Sequence, residues 1–151
     1  MRAIVITALV AGLLGFVAGN AFWYLASPLW IDRTVSEGFS RSDTAETVAN
    51  GLFEGADAVH RGTGNVAAIQ TGAETVLRFT EFEVTNGPDL YVWLVRGAVA
   101  SEEDVTSSEW LDLGLLKGNI GDQNYVLPEG TEVADYGSVV VWCKQFGVLF
   151  A

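Results

Sequence analysis

The sequence predicts an all-β domain, a β-sandwich with a barrel-like alternative, preceded by one N-terminal transmembrane helix. Two observations predict this fold class. From residue 52 onward, short apolar runs alternate with turns rich in Gly, Asn, Asp and Pro, as in sandwiches and barrels. Before residue 31, a long apolar segment carries a single charge, on Arg2. We therefore predict an anchor or signal segment over 1–30, a polar linker over 31–51 and the β-domain over 52–151.

The first segment is long and apolar enough to cross a bilayer. Residues 3–26 carry no charge, and a helix of that length, at ~1.5 Å per residue, exceeds the ~30 Å hydrocarbon core. Aromatic residues collect at its far end, as in an interfacial belt. A cleavable signal peptide is the alternative, because residues 18–21 resemble a small-x-small cleavage site. We expect a single-pass anchor in the cell membrane with the domain outside the cytoplasm, or secretion after cleavage.

The segment over 31–51 is polar and of mixed charge, so we expect a membrane-proximal spacer that is partly disordered. Ser42 and Asp43 are suitable N-caps for a short helix over 44–49. Its apolar content is too low to require a buried face.

The β-domain begins with two predicted strands, over 64–70 and 75–84, joined by a turn over 71–74. The alternation of the second strand slips, because Leu77 and Phe79 share one face whereas Phe82 falls on the other. A β-bulge near residues 80–81 restores a single buried face.

The remaining strand candidates follow a turn-forming segment at residues 86–89. The run over 90–95 is apolar on both faces, which predicts a central strand buried on both sides. The longest β-type run covers 138–150 and is expected to bend at residues 144–145. Shorter strands are predicted over 111–113 and 125–127.

Charge and residue counts exclude several classes of function. The domain and linker hold all 19 acidic residues against 7 of the 8 basic ones, a net charge of −12, so nucleic acid is not an expected partner. One Cys and one His cannot build a Cys₄ or Cys₂His₂ zinc site, a blue-copper site or an internal disulfide within one chain. A c-type haem motif is also missing from the sequence.

Several segments occur together in an order and spacing that resemble the DM13 domain family. They are residues 60–64 (HRGTG), 77–79 (LRF), 84–90 (VTNGPDL), 111–125 (LDLGLLKGNIGDQNY), 127–128 (LP) and 138–148 (SVVVWCKQFGV). The resemblance covers residues 52–151. It implies a small β-domain of secreted and membrane-attached proteins for which electron transfer has been proposed, and it assigns the redox role to Cys143.

The residues themselves leave three roles open for Cys143. A cysteine in an apolar strand is usually a small buried hydrophobe, and burial lowers its reactivity. The alternatives are a redox or thiol-exchange group and a ligand of a cofactor, although the sequence identifies no cofactor. His60 is either a hydrogen-bonded structural residue or, if it lies close to Cys143, its base or co-ligand.

Two further segments are candidates for a site or for local structure. The first is a loop that either forms a pocket rim or holds itself together through side-chain bonds to the backbone: Lys117, Gly118, Asn119, Gly121, Asp122, Gln123, Asn124 and Tyr125. The second is a tight turn in which Pro restricts φ and Asp can bond backbone N–H groups: Asn86, Gly87, Pro88 and Asp89.

Other residues with possible chemistry are more simply read as structure. Glu81 and Glu83, two apart on one strand, fit a solvated face better than a catalytic pair. The acidic stretch over 101–109 lacks an EF-hand pattern. Five aromatic residues are candidates for the core, a ligand groove or a redox path: Tyr91, Trp93, Trp110, Tyr125 and Trp142.

The sequence therefore favours a membrane-anchored, extracytoplasmic DM13-type domain with an electron-transfer or thiol-redox role over an enzyme. A non-catalytic adhesion or scaffold module, with a structural cysteine, is the alternative. The expected partners are the membrane, through the N-terminal helix, and a redox or adhesion protein.

Overall fold

The computed structural model describes residues 1–27, 30–40, 44–72 and 74–151, and the chain divides into two units, Met1–Ile31 and Asp32–Ala151. The first unit is helix α1 (Arg2–Ala26). Its span Arg2–Tyr24 has a mean hydropathy of 2.1 and is fully exposed. A helix that is apolar on every side requires apolar surroundings. Length and composition therefore suit a membrane span, and an N-terminal signal sequence shares both properties.

The second unit contains two β-sheets. In its described residues the strands are β1 (Thr34–Ser36), β2 (Glu46–Leu52), β3 (Gly62–Thr71), β4 (Glu74–Val84), β5 (Leu90–Val95), β6 (Trp110–Leu115), β7 (Ile120–Val126), β8 (Ser138–Cys143) and β9 (Val148–Leu149). The first sheet has the order β1-β7-β4-β3-β2, and the second β6-β5-β8-β9. All neighbours are antiparallel except β1 and β7, which are parallel. Helix α2 (Glu102–Ser107) lies between β5 and β6 in sequence.

One hydrophobic core draws side chains from both sheets. Phe79 and Leu77 of β4 belong to the same buried cluster as Val92 of β5 and Val141 of β8. The predicted two-sheet β-domain is confirmed at this level. The shared core is the arrangement that sheet-on-sheet packing produces.

Two details of the predicted strands are confirmed. The bulge in β4 lies at Glu81, which has φ 52, and the pairing with β7 shifts between Phe79 and Glu83. Phe79 and Phe82 are consequently both buried. Strand β5 is central, between β6 and β8, and its faces contribute to two separate apolar clusters.

The helix predicted over 44–49 is wrong, because residues from Glu46 onward form strand β2 instead. The strand pairs antiparallel with β3, whose outer backbone groups it satisfies, and its Thr and Val residues favour strand. The proposed caps Ser42 and Asp43 lie outside the described residues. The segment read as a polar linker thus contributes β2, and also β1, to the first sheet.

The bend predicted at residues 144–145 is a hairpin turn between β8 and β9. The turn closes with a hydrogen bond from Gly147 N to the carbonyl oxygen of Cys143 at 2.8 Å. Gly147 adopts φ 67, a conformation that glycine reaches without strain. The predicted turn over 71–74 joins β3 to β4, and its residue 73 lies outside the described residues.

Strand β1 approaches β7 closely because β7 has a glycine at the contact. A Cβ atom on Gly121 would overlap the carbonyl oxygen of Val35, and Gly121 also has φ 100. A side chain here therefore meets both a steric and a conformational obstacle.

We expect Gly121→Ala to lower the free energy of unfolding by at least ~2 kcal/mol, because the new methyl group displaces β1 and forces a strained φ. Urea unfolding of the full chain in detergent, followed by tryptophan fluorescence, measures the change. Gly51→Ala is the matched control, because its Cβ would make only ordinary contact, 3.5 Å from Val66. Equal effects in the two variants would contradict the proposed role of Gly121.

Candidate functional site

The thiol of Cys143 is enclosed in the domain core. Cys143 is the last residue of β8, pairs with Leu90 and Val148, and is 0% exposed. Its Sγ donates a hydrogen bond to the carbonyl oxygen of Pro88 at 2.9 Å. The protonated thiol therefore has a partner inside the protein and no surface through which a reagent can reach it.

Residues 86–89, which we call the NGPD turn, also contact the C-terminal hairpin of β8 and β9 on either side of Cys143. The carbonyl oxygen of Asp89 accepts a hydrogen bond from Lys144 N at 3.1 Å. The ring of Phe150 lies so close to Gly87 that a Cβ there would be 2.6 Å from ring atom Cζ. Each residue of this turn that touches the C-terminal hairpin thus helps to fix the position of the thiol.

His60 lies against Phe150, the same residue that Gly87 contacts. Its ring packs on the Phe150 ring with centroids 4.4 Å apart, and its Nδ1 lies 2.8 Å from Asp57 Oδ2. Hydrogen bonds from the backbone and ring of His60, then from Val59 N, lower the pKa of Asp57 to about 2. Among the described contacts, no hydrogen bond or ring contact joins His60 to Cys143, so the sequence hypothesis of a His–Cys pair gains no geometric support.

The predicted loop over 117–125 is partly strand, and its side chains bond inside the protein. Gln123 is fully buried. Its Nε2 donates to the carbonyl oxygen of Gly118 at 2.9 Å, and its Oε1 accepts from the Tyr125 hydroxyl at 2.8 Å. That hydroxyl in turn accepts from Lys117 N at 3.1 Å. Burial raises the pKa of Tyr125, so the phenol stays protonated and keeps its bond to Gln123.

Asn119 binds residues 32 and 33, just before β1, to the segment over 117–125. Its Oδ1 accepts from Arg33 N at 2.7 Å, and its Nδ2 donates to Asp32 Oδ1 at 2.9 Å. Asn86 of the NGPD turn donates to the same carboxylate oxygen at 2.7 Å. Asp32 is therefore shared by the two segments that the sequence had singled out.

Glu37, just beyond β1, is held by groups of β4, of β7 and of the segment that joins β6 to β7. Lys117 Nζ lies 2.9 and 3.0 Å from its two carboxylate oxygens, and Asn124 N donates to Oε2 at 2.7 Å. Arg78 donates to the carbonyl oxygen of Glu37 and pairs with Asp122. The hydrogen bond from Lys117 is the main cause that lowers the pKa of Glu37. We call the set Arg78, Lys117, Asn119, Asp122 and Asn124 the β1 clamp.

Three of the five singled-out aromatic residues form a stack on the second sheet. The Trp93 ring lies parallel to Trp110 with centroids 4.0 Å apart, and its centroid is 5.4 Å from that of Trp142. Trp110 is 45% exposed whereas Trp93 and Trp142 are buried. The Nε1 of Trp93 is a buried donor with no partner among the described residues. The stack therefore leads from solvent to the residue that precedes Cys143.

The other two aromatic residues are not part of the stacked rings, although Tyr91 packs against the cluster that contains Trp93 and Trp142. Lys144 Nζ sits 3.9 Å above the Tyr91 ring, and Tyr125 packs on Phe79 in the core that the two sheets share. The acidic stretch forms helix α2, in which Ser101 caps the first turn. Within the described residues, no group of three or more His, Cys, Asp or Glu side chains could hold a metal ion.

Comparison with known proteins places these features in a family. A family model described as "Electron transfer DM13" matches residues 53–151, which is more than half of the chain. The chain belongs to the DM13 family. The comparisons with curated proteins and with solved structures find no match. Strands β1 and β2 precede the residues that match the DM13 model. The residues of the β1 clamp all lie within the match, and they hold β1 in place.

The enclosure of Cys143 predicts slow labelling of the native protein. We expect a maleimide to react at least ~100-fold more slowly with the folded chain than with the chain in urea, because the thiol must wait for local unfolding. Mass spectrometry of timed samples gives both rates. A chain that carries Cys143→Ser together with Ser107→Cys, an exposed position, provides the fast control. Native labelling as fast as that control would contradict the enclosure.

Acid should weaken the clamp through Glu37. The pKa of Glu37 in the folded protein is lower than its ordinary value of 4.5. The ionised side chain therefore contributes its full stabilisation above pH 4.5, and this contribution is lost as the pH falls through the lower pKa of the folded state. We expect Glu37→Gln to flatten the fall in unfolding free energy between pH 5 and pH 3, measured by urea titrations. Glu129→Gln, at an exposed position, should keep the wild-type slope. Identical slopes for Glu37→Gln and wild type would exclude Glu37 as a cause.

Proposed function

We propose that this DM13 protein transfers electrons outside the cytoplasm while anchored in a membrane by α1, with Cys143 as the redox group. The family description and the apolar helix support this proposal. The observation that carries it is the stack of rings that leads from the half-exposed Trp110 through Trp93 to Trp142, the residue before Cys143. We take the domain to be a β-sandwich, in agreement with its two sheets and shared core.

Enclosure selects electron transfer over thiol–disulfide exchange. Exchange requires a thiolate to reach the sulfur of its partner, and hence an accessible thiol. Loss of one electron requires no such access. In the proposed step the S–H bond of Cys143 breaks, one electron passes to a one-electron acceptor such as a metalloprotein, and the proton reaches solvent when the residues that enclose the thiol open locally. A one-electron donor and a proton reverse the step.

The tryptophan stack supplies a route between Cys143 and the surface. Trp142 is the neighbour of Cys143 on β8, and the stack continues through Trp93 to the half-exposed Trp110. An indole that loses an electron is more acidic, and a hydrogen-bond acceptor at Nε1 helps it to lose its proton. The Nε1 of Trp93 has no such acceptor among the described residues. An oxidised Trp93 would therefore keep its proton and its positive charge, and the charge could pass to a neighbouring ring.

The surface charge favours a basic partner. The chain beyond α1 carries a net charge of −12, and Glu109, which precedes Trp110 and pairs with Arg96, is largely exposed. Complementary charge accelerates the encounter between proteins and orients the docking. We therefore propose a positively charged redox protein that docks near Trp110.

A second candidate is a non-catalytic adhesion or scaffold module. The apolar surroundings of Cys143 and its bond to Pro88 favour this alternative, because a buried cysteine commonly serves as a small hydrophobe. Under this reading the sulfur contributes packing and one hydrogen bond, and no electron leaves it.

Cys143→Ser separates the two candidates, because a serine hydroxyl can also donate to Pro88 and should preserve the fold. Flash photolysis with tris(bipyridine)ruthenium and a sacrificial quencher generates a cationic one-electron oxidant. In wild type we expect a tryptophan radical that decays while one thiol is consumed. In Cys143→Ser the radical should persist at least several-fold longer, because its electron donor is gone.

The control is Trp110→Leu, which removes the surface end of the route and should slow thiol loss while leaving Cys143 in place. Thermal melts confirm that both variants fold. Equal radical lifetimes in wild type and Cys143→Ser, with the wild-type thiol intact, would refute the redox proposal and favour the scaffold role.

A further inference from the structure

A cavity of about 330 Å³ opens between the two sheets beside the edge strand β2. Its walls include Leu77 of β4, Ala68 of β3 and Leu94 of β5, together with Leu149 of β9. A volume above ~300 Å³ lies in the range of pockets that hold small organic ligands. Neither Cys143 nor any residue of the β1 clamp lines it, so it is separate from the thiol site.

The lining combines apolar walls with a few polar side chains. Large apolar side chains form the deeper part, whereas glycine and alanine dominate the rim: Ala49, Gly51, Gly55, Ala56, Ala100 and Gly137. The Asn50 amide and the Tyr136 hydroxyl also line the cavity and supply hydrogen-bond donors. Glu54 is the one charged residue among the described lining residues, so a negatively charged ligand would be disfavoured.

The chain leaves this space open although β2 carries larger apolar residues. Val48 is 44% exposed and does not line the cavity. Leu52 stands at the mouth and is 73% exposed. A ligand in the cavity would cover Leu52 and displace water from the apolar walls, and both changes favour binding.

We propose that this cavity binds a neutral quinone-type ring. The ring face suits the apolar walls, its carbonyl oxygens suit the side-chain donors of Asn50 and Tyr136, and its lack of charge suits Glu54. The choice of a quinone among neutral rings rests on the proposed electron-transfer function, since quinones carry electrons in membranes. Binding itself requires neither Cys143 nor the tryptophan stack.

Isothermal titration calorimetry of the full chain in lipid nanodiscs tests the proposal, with empty nanodiscs as the baseline. The probe is 2,3-dimethoxy-5-methyl-1,4-benzoquinone, which has no isoprenoid tail. Ala68→Leu and Ala49→Leu fill the cavity from two sides and should each weaken binding at least 10-fold. Ala67→Leu is the matched control, because residue 67 is the neighbour of Ala68 on β3 but does not line the cavity. It should bind like wild type.

Each result decides the proposal. Loss of binding in Ala68→Leu and Ala49→Leu but not in Ala67→Leu supports it. No binding by wild type, or equal binding by all four chains, overturns it. Equal affinity for 1,4-dimethoxybenzene, a neutral ring without carbonyl groups, overturns the quinone class. Cys143→Ser should bind the probe normally, so failure of its electron transfer and failure of quinone binding are separate outcomes.

Discussion

The rest of the domain depends on the contact between the NGPD turn and the C-terminal hairpin. Pro88 accepts the hydrogen bond of the Cys143 thiol, Asp89 accepts that of Lys144 N, and Gly87 receives the Phe150 ring. The turn connects the first sheet to the second, through β4 and β5, so these contacts fix the two sheets against each other. Cys143 donates through its S–H group, so the thiol itself is one of the contacts that join the turn to the hairpin.

A second consequence follows from the other end of the same turn. Asn86 shares Asp32 with Asn119 of the β1 clamp, so the start of the domain is tied to the element that holds Cys143. The residues of the DM13 match thus hold a strand that lies outside the match. Holding β1 accounts for the polar composition of the segment over 117–125, because the amide and charged groups of the segment form their hydrogen bonds within the protein.

Local pattern was sufficient to predict some features, and tertiary partners decided the others. The bulge at Glu81 and the central position of β5 follow from the pattern of apolar and polar residues within a single strand, which needs no knowledge of the neighbouring strands. Strand β2 could not be predicted, because Glu46–Leu52 is a strand only when the edge of β3 is available to pair with it. The enclosure of Cys143 and the contact of His60 with Phe150 likewise depend on residues far away in sequence. The pattern of residues places two of the tryptophans in predicted strands, but it does not show that three of them stack.

The infrared S–H stretching band tests the central contact most directly, because the chain has a single thiol and the band falls where proteins have little other absorption. A bond from Cys143 Sγ to the Pro88 carbonyl oxygen predicts one narrow band, shifted below the frequency of a free thiol, that is insensitive to added maleimide and disappears in Cys143→Ser. A band at the free-thiol frequency, or no band in the native protein, would contradict the account.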